Sequence, residues 1–222
     1  MTMKPNGSYE PQRLPRLDQD ELRRHLESMT GLALCPRRLP PWERRLHPEI
    51  HRVRELVQPP LLKAVESCCK GESAWPLFVH GPAGTGKTCA ALWLIDTMMG
   101  VCQMWSFSQL CEHLLDAKFN RLESFGSHSS TIITPADVWE DWRRMALCVI
   151  DELGSRSSVS DHQYEVAQRA IDDREGKPLM VASNLELPRL AEIFDDRIAS
   201  RLAGGTVVHL TGDDMRLAPS GG

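Results

Sequence analysis

The stretch Gly81-Pro82-Ala83-Gly84-Thr85-Gly86-Lys87-Thr88 constrains this chain more than any other eight residues. Its spacing is G-x-x-x-x-G-K-[ST]. An apolar run, Leu77-Phe78-Val79-His80, stands before it, and a helical pattern opens after it at Cys89-Ala90-Ala91. A strand that turns through glycines into a helix aims backbone N–H groups and the positive helix end at one spot. That spot suits phosphate oxygens. Lys87 brings a point charge to the β- and γ-phosphates of a nucleotide, and the Thr88 hydroxyl offers a ligand for Mg2+. Residues 81–88, with Cys89 next on the helix, are the expected contacts of ATP.

The rest of the chain supplies a sheet to carry such a loop. Helical patterns cover 61–71, 87–100, 108–122 and 160–175. Short apolar runs at 75–81, 101–107, 145–152, 178–184 and 206–212 read as strands. Strands alternating with helices of this length predict an α/β fold, a parallel central sheet covered on both faces. Buried parallel strands are continuously apolar, and these are.

One of those runs, Leu147-Cys148-Val149-Ile150, ends on two acids, Asp151 and Glu152. Ligands of parallel sheets bind beyond the carboxyl ends of the strands. Asp151, on a parallel neighbour of the first strand, is therefore expected to hold Mg2+, directly or through water. Glu152 is expected to orient and deprotonate a water for attack on the γ-phosphate. The alternative is that Glu152 only begins a loop. Asn184 ends the next apolar run. It either holds the attacking water or a phosphate oxygen, with Ser183 sharing the task, or caps a helix starting near Pro188.

Phe194, Ile198 and Leu202 mark one apolar helix face, and Arg197 and Arg201 share the flank beside it. Offered to a neighbouring subunit, either arginine would set positive charge where the transition state develops negative charge. Otherwise they pair with Glu192, Asp195 or Asp196 on the same helix. Arg216 is a further phosphate-sensing candidate, again against a plain salt bridge.

Taken in order, GPAGTGKT, CVIDELG, VASNLEL, DDRIASRL and TGDDMR resemble the AAA+ ATPases of the DnaC helicase-loader type and the related IstB transposition helpers. The resemblance runs over about residues 75–216. It implies a P-loop NTPase three-layer sandwich, and Asn184 as first sensor. Arg201 would be the finger, Arg197 a second candidate and Arg216 the late sensor. It also implies an ATP-dependent oligomer that grips single-stranded DNA and delivers a replicative helicase. A helical lid is not expected after Arg216. Residues 1–60 are expected to form a short N-terminal extension with a helix over 17–29, a candidate partner-docking segment or a plain tail, and residues 61–222 the ATPase core.

Charge divides along the same line. Residues 1–63 carry 12 Lys/Arg against 8 Asp/Glu, and 64–222 carry 14 against 22. The first part suits nucleic acid, an acidic partner or simply a solvated linker; the acidic core argues against a broad basic face. The segment 120–139 reads as a loop where this clade places its DNA-contacting element, with Lys118 and Arg121 as candidates or as plain surface residues. A transposase or phage recombination helper would share every motif. A small-molecule P-loop kinase fits less well, given the acid pair, and no N-K-x-D guanine signature occurs. Seven scattered cysteines, with no zinc spacing among Cys35, His47 and His51, suit reduced thiols in the cytoplasm. No apolar run reaches membrane-spanning length.

Overall fold

The computed structural model describes residues 57–97, 100–125, 130–155 and 157–212. The expected helix at 17–29, Cys35, His47, His51 and Arg216 lie outside the described residues.

The described elements run in the order α1 (Pro59–Cys69), β1 (Leu77–His80), α2 (Lys87–Thr97), β2 (Cys102–Ser106), α3 (Phe107–Lys118), β3 (Glu123–Phe125) and β4 (Ser130–Ile132). They continue with α4 (Pro135–Arg144), β5 (Leu147–Asp151), α5 (Asp161–Asp172), β6 (Leu179–Ser183), α6 (Leu187–Ile193), α7 (Asp196–Ala203) and β7 (Thr206–His209). Five strands form one sheet in the order β2-β5-β6-β1-β7, and every pairing within it is parallel. The expected parallel sheet is present. One detail differs: β5 does not neighbour β1, because β6 lies between them.

Alternation along each strand divides the core into two layers. Leu77, Val79, Leu147, Val149, Met180 and Val208 pack with Leu61 and Val65 of α1 and with Ala90, Ala91 and Leu94 of α2. Val57, which falls inside the expected extension, is buried in this layer. Phe78, Cys148, Ile150, Leu179 and Val181 face the other way, toward α3, α4, α5, α6 and α7. Fully burying one such aliphatic side chain stabilises by about 1.5–3 kcal/mol. Phe194, Ile198 and Leu202 are all buried, as the apolar face implies, but they do not share one helix: Phe194 closes α6 and only Ile198 and Leu202 lie on α7.

The segment 120–139 is not a plain loop. Asn120 sits in the left-handed region (φ 56°) and closes α3. β3 and β4 then pair antiparallel, outside the main sheet. Thr134 opens α4 through a reciprocal cap: its N–H donates to the Asp137 carboxylate at 2.8 Å, and the Asp137 N–H donates to its hydroxyl at 3.4 Å. The Thr134 hydroxyl, which donates to the same carboxylate at 2.7 Å, and then the Thr134 N–H hold the Asp137 carboxyl below its usual range. Among the described residues, no helix is long and apolar enough to cross a membrane.

Candidate active site

The loop between β1 and α2 is braced from within. Thr85, almost fully buried, donates its hydroxyl to the Pro82 carbonyl at 2.9 Å. Lys87 is 8% exposed; its Nζ donates to the carbonyls of Gly81 at 2.7 Å and Pro82 at 2.6 Å. The ammonium thus lies inside the loop's concavity. Pro82 and Ala83 are exposed at the tip, while Cys89 is buried in the core below. Gly81 has φ 150°, and a Cβ there would sit 2.2 Å from the Leu210 carbonyl oxygen. That contact is fixed, because the Leu210 N–H donates to the His80 carbonyl at 2.7 Å. Gly81→Ala is expected to cost about 1–3 kcal/mol and to displace the loop. Thermal unfolding measures the cost; an unchanged Tm would refute it.

The carboxylate of Asp151 reaches this loop across β6. Thr88 Oγ1 donates to Asp151 Oδ2 at 2.7 Å, so the two side chains expected to share a metal stand together. Asp151 is 7% exposed and its other oxygen accepts from the Glu152 N–H at 2.9 Å. A hydroxyl and a carboxylate form a hard-oxygen pair of the kind Mg2+ takes. Glu152 lies in the left-handed region at φ 60° and is exposed. For a residue with a Cβ this conformation is strained, and such strain concentrates at functional positions.

Ser183 ends β6, the strand between β1 and β5, level with His80, and Asn184 follows it. Their roles separate. Ser183 is fully buried; it donates to the Leu153 carbonyl at 2.7 Å and accepts from the Leu185 N–H at 2.9 Å. It ties two strand-end loops together and has no surface left for a ligand. Asn184 is exposed at the carboxyl rim. It does not cap the following helix, whose N-cap is Glu186 with Pro188 in the first turn.

Arg197 and Arg201 form their close ion pairs with acids distant in sequence, although the Arg197 charge also acts on Asp195. Arg197 and Arg201 reach α5, contacting Asp172 at 3.4 and 2.9 Å, and Arg201 also approaches Glu175 at 3.5 Å. Two of the acids near them in sequence have other partners. Asp195 caps α7 by accepting from the Ile198 N–H and also accepts from the Tyr164 hydroxyl. Burial would raise the Asp195 carboxyl, but those hydrogen bonds outweigh it and hold it below its usual range. Glu192 pairs with Arg189. Lys118 and Arg121 are exposed beside the β3–β4 hairpin; Arg121 lies over the Phe119 ring at 5.2 Å and near Asp116 at 3.5 Å.

Two contributions carry no sequence signal. Gln58 donates its amide to the carbonyls of Thr85 (3.3 Å) and Thr211 (3.0 Å), fastening the loop to the end of β7. His80, next to Gly81, stacks on His209 with ring centroids 4.6 Å apart. Burial, then the His209 charge, push the His80 imidazole below its usual value, with Glu186 opposing.

A glycine loop on the first strand and an acid pair two strands away, on a five-stranded parallel sheet covered on both faces, give this chain the α/β three-layer fold of P-loop proteins. Solved structures carry the same fold. A replication initiator DnaA bound to AMPPCP and single-stranded DNA superposes with a TM-score of 0.55 at 18% identity, over 77% of this chain and 47% of that one. Domain III of the Thermotoga maritima replication initiation protein DnaA gives 0.51 at 18% identity, over 72% and 65%. This chain therefore spans about half the length of the nucleotide-bound DnaA. A DnaC helicase loader overlays more loosely, at 0.47 and 17% identity over 61% and 77%, too loosely to bear on the fold. No protein-family model and no curated protein matches the sequence.

Proposed function

We propose that this chain binds and hydrolyses ATP as an AAA+ subunit acting with a replicative helicase on single-stranded DNA. The observation that carries the enzymatic part is the 2.7 Å contact of Thr88 with Asp151, beside the Lys87 loop and the exposed Glu152. The replication initiator DnaA, part of which shares this fold, was solved with AMPPCP and single-stranded DNA, which supports a nucleotide as the ligand.

The residues divide the work by chemistry. Lys87 now satisfies two neutral carbonyls; anionic phosphate oxygens are stronger partners for an ammonium, so it exchanges one set for the other. Thr88 and Asp151 would hold Mg2+, which when bound offsets charge on the β- and γ-phosphate oxygens. Glu152 takes the proton of the attacking water as the water oxygen bonds to the γ-phosphorus and the bond to the β-bridging oxygen breaks. Asn184 orients that water or a γ-oxygen. Arg201, with Arg197 as second candidate, acts on the nucleotide of a neighbouring copy, which makes the working form a homo-oligomer. Arg216 adds the late sensor. Residues 1–60 dock the partner, and Lys118 and Arg121 contact DNA phosphates.

Lys87→Ala is expected to weaken ATP binding about 100-fold, equivalent to ~2.7 kcal/mol. Equilibrium titration with ATP tests this, and unchanged affinity would count against the loop as the site. Single-stranded DNA is expected to raise the ATPase rate; a rate indifferent to it would separate the activity from DNA. A transposition helper is the second reading, and co-purification with a helicase or with a transposase decides between them.

A further inference from the structure

An ionic cluster joins the end of α5 to α7, away from the glycine loop in sequence. Asp172 closes α5 and stands between two guanidinium groups, Arg197 Nη2 at 3.4 Å and Arg201 Nε at 2.9 Å. The Gln168 amide oxygen, in the orientation that satisfies both its polar atoms, accepts from both terminal nitrogens of Arg197 at 3.0 and 3.2 Å. Glu175, 80% exposed, touches only an outer nitrogen of Arg201.

We propose that Asp172 is a positioning residue: it sets the direction of Arg201 and through it hydrolysis in the neighbouring subunit. This rests on Arg201 acting in trans. Like charges four residues apart on a helix repel, so Arg197 and Arg201 left alone would splay apart. A carboxylate between them offsets that repulsion. It meets Arg201 at Nε, the root of the guanidinium, and leaves the outer nitrogens to the screened, exchangeable contact with Glu175. Asp172 Oδ1 is buried and receives no aligned hydrogen bond. The 2.9 Å contact is therefore charge attraction, and the neutral amide of an asparagine cannot replace it.

The helix beneath is fixed independently. Asp195 accepts from the Ile198 N–H at 2.8 Å and from the Tyr164 hydroxyl at 2.5 Å, and Ile198 and Leu202 are fully buried. The freedom that remains belongs to the arginine side chains, and Asp172 limits it. Arg201 is 31% exposed, held at its root with its tip at the surface. That arrangement suits a side chain that must meet a phosphate carried by another molecule.

The test uses the full chain in ATPase assays with single-stranded DNA, with assembly checked by light scattering. Asp172→Asn is expected to lower kcat about tenfold or more and to leave ATP affinity within about twofold, as misplacement of a positioned group does. Asp172→Glu, which keeps the charge, restores at least half the parent rate. Mixing separates the possibilities. Asp172→Asn with Lys87→Ala regains activity, because each lesion spoils a different side of a shared site. Asp172→Asn with Arg201→Ala regains none, because both lie on the donating side. Recovery in that second mixture would place the effect of Asp172 on its own loop and overturn the proposal, as would an unchanged kcat in Asp172→Asn. If Asp172→Asn does not fold, Asp172→Ala takes its place in both mixtures, where a parent-like kcat would equally overturn the proposal. The control mixture is Arg201→Ala with Lys87→Ala. Its failure to recover removes the trans role of Arg201 and this proposal together, whereas its recovery beside a failed Asp172 test removes the proposal alone.

Discussion

Glu152→Gln lowers ATP turnover by about 10²–10⁴-fold while leaving ATP affinity within about twofold of the parent, the range expected for loss of a general base. The substitution exchanges one carboxylate oxygen for an amide nitrogen and little else. Glu152 is exposed, so no core packing is disturbed. Its backbone holds φ 60°, a cost that glutamine meets to a similar degree. The hydrogen bond from its N–H to Asp151 Oδ1 at 2.9 Å belongs to the main chain and survives. What changes is the capacity to take a proton from water. Steady-state phosphate release and equilibrium ATP binding, measured on the same preparation, check both halves. A variant that hydrolyses at the parent rate excludes Glu152 as the base.

Arg174→Ala destabilises the core by about 3–5 kcal/mol, through buried acceptors stripped of donors and the cavity left behind. Arg174 is 1% exposed. Its Nη1 donates to the carbonyls of Trp142 (3.2 Å), Arg143 (3.4 Å) and Met145 (2.8 Å), and its Nη2 to that of Pro178 (2.7 Å). Three of these carbonyls belong to the last turn of α4 and the residue after it, where the helix presents orphan acceptors and partial negative charge. The fourth precedes β6. One side chain therefore fastens the end of α4 to the entry of the strand that carries Ser183 and Asn184. For a domain of this size the loss corresponds to a fall in Tm of about 10 °C. Arg201→Ala removes a partly exposed side chain and is expected to shift stability by no more than about 0.5 kcal/mol. Thermal unfolding of the two variants side by side measures the contrast; equal Tm values would contradict it.

These expectations draw on two kinds of residue. The loop at 81–88 was legible because its motif specifies backbone conformation and residue type together, and the strand–helix context was visible around it. Asp151 and Glu152 were legible because two acids ending an apolar run have few other reasons to be there. The order of strands was not: nothing in the apolar runs says that β6 separates β1 from β5. Nor were the partners of Arg197 and Arg201. Asp172 lies 25 and 29 residues before them, and the contact exists only because α7 packs near the end of α5. The start of α4 was signalled, by Thr134, Pro135 and Asp137 with Val138, Trp139 and Trp142 at helical spacing. The segment reads as a loop only if its Ser/Thr content is weighed above that cap. Gln58 and the His80–His209 stack depend on tertiary approach and carry no local pattern.

A crystal structure of the full chain with Mg2+ and AMPPCP tests most directly whether a triphosphate rests on the 81–88 loop. The expected result places a γ-phosphate oxygen about 3 Å from Lys87 Nζ, with Nζ released from the Pro82 carbonyl and the metal within reach of Thr88 and Asp151. A nucleotide bound elsewhere on the chain, or a loop still closed around the Lys87 ammonium at saturating ligand, would contradict it.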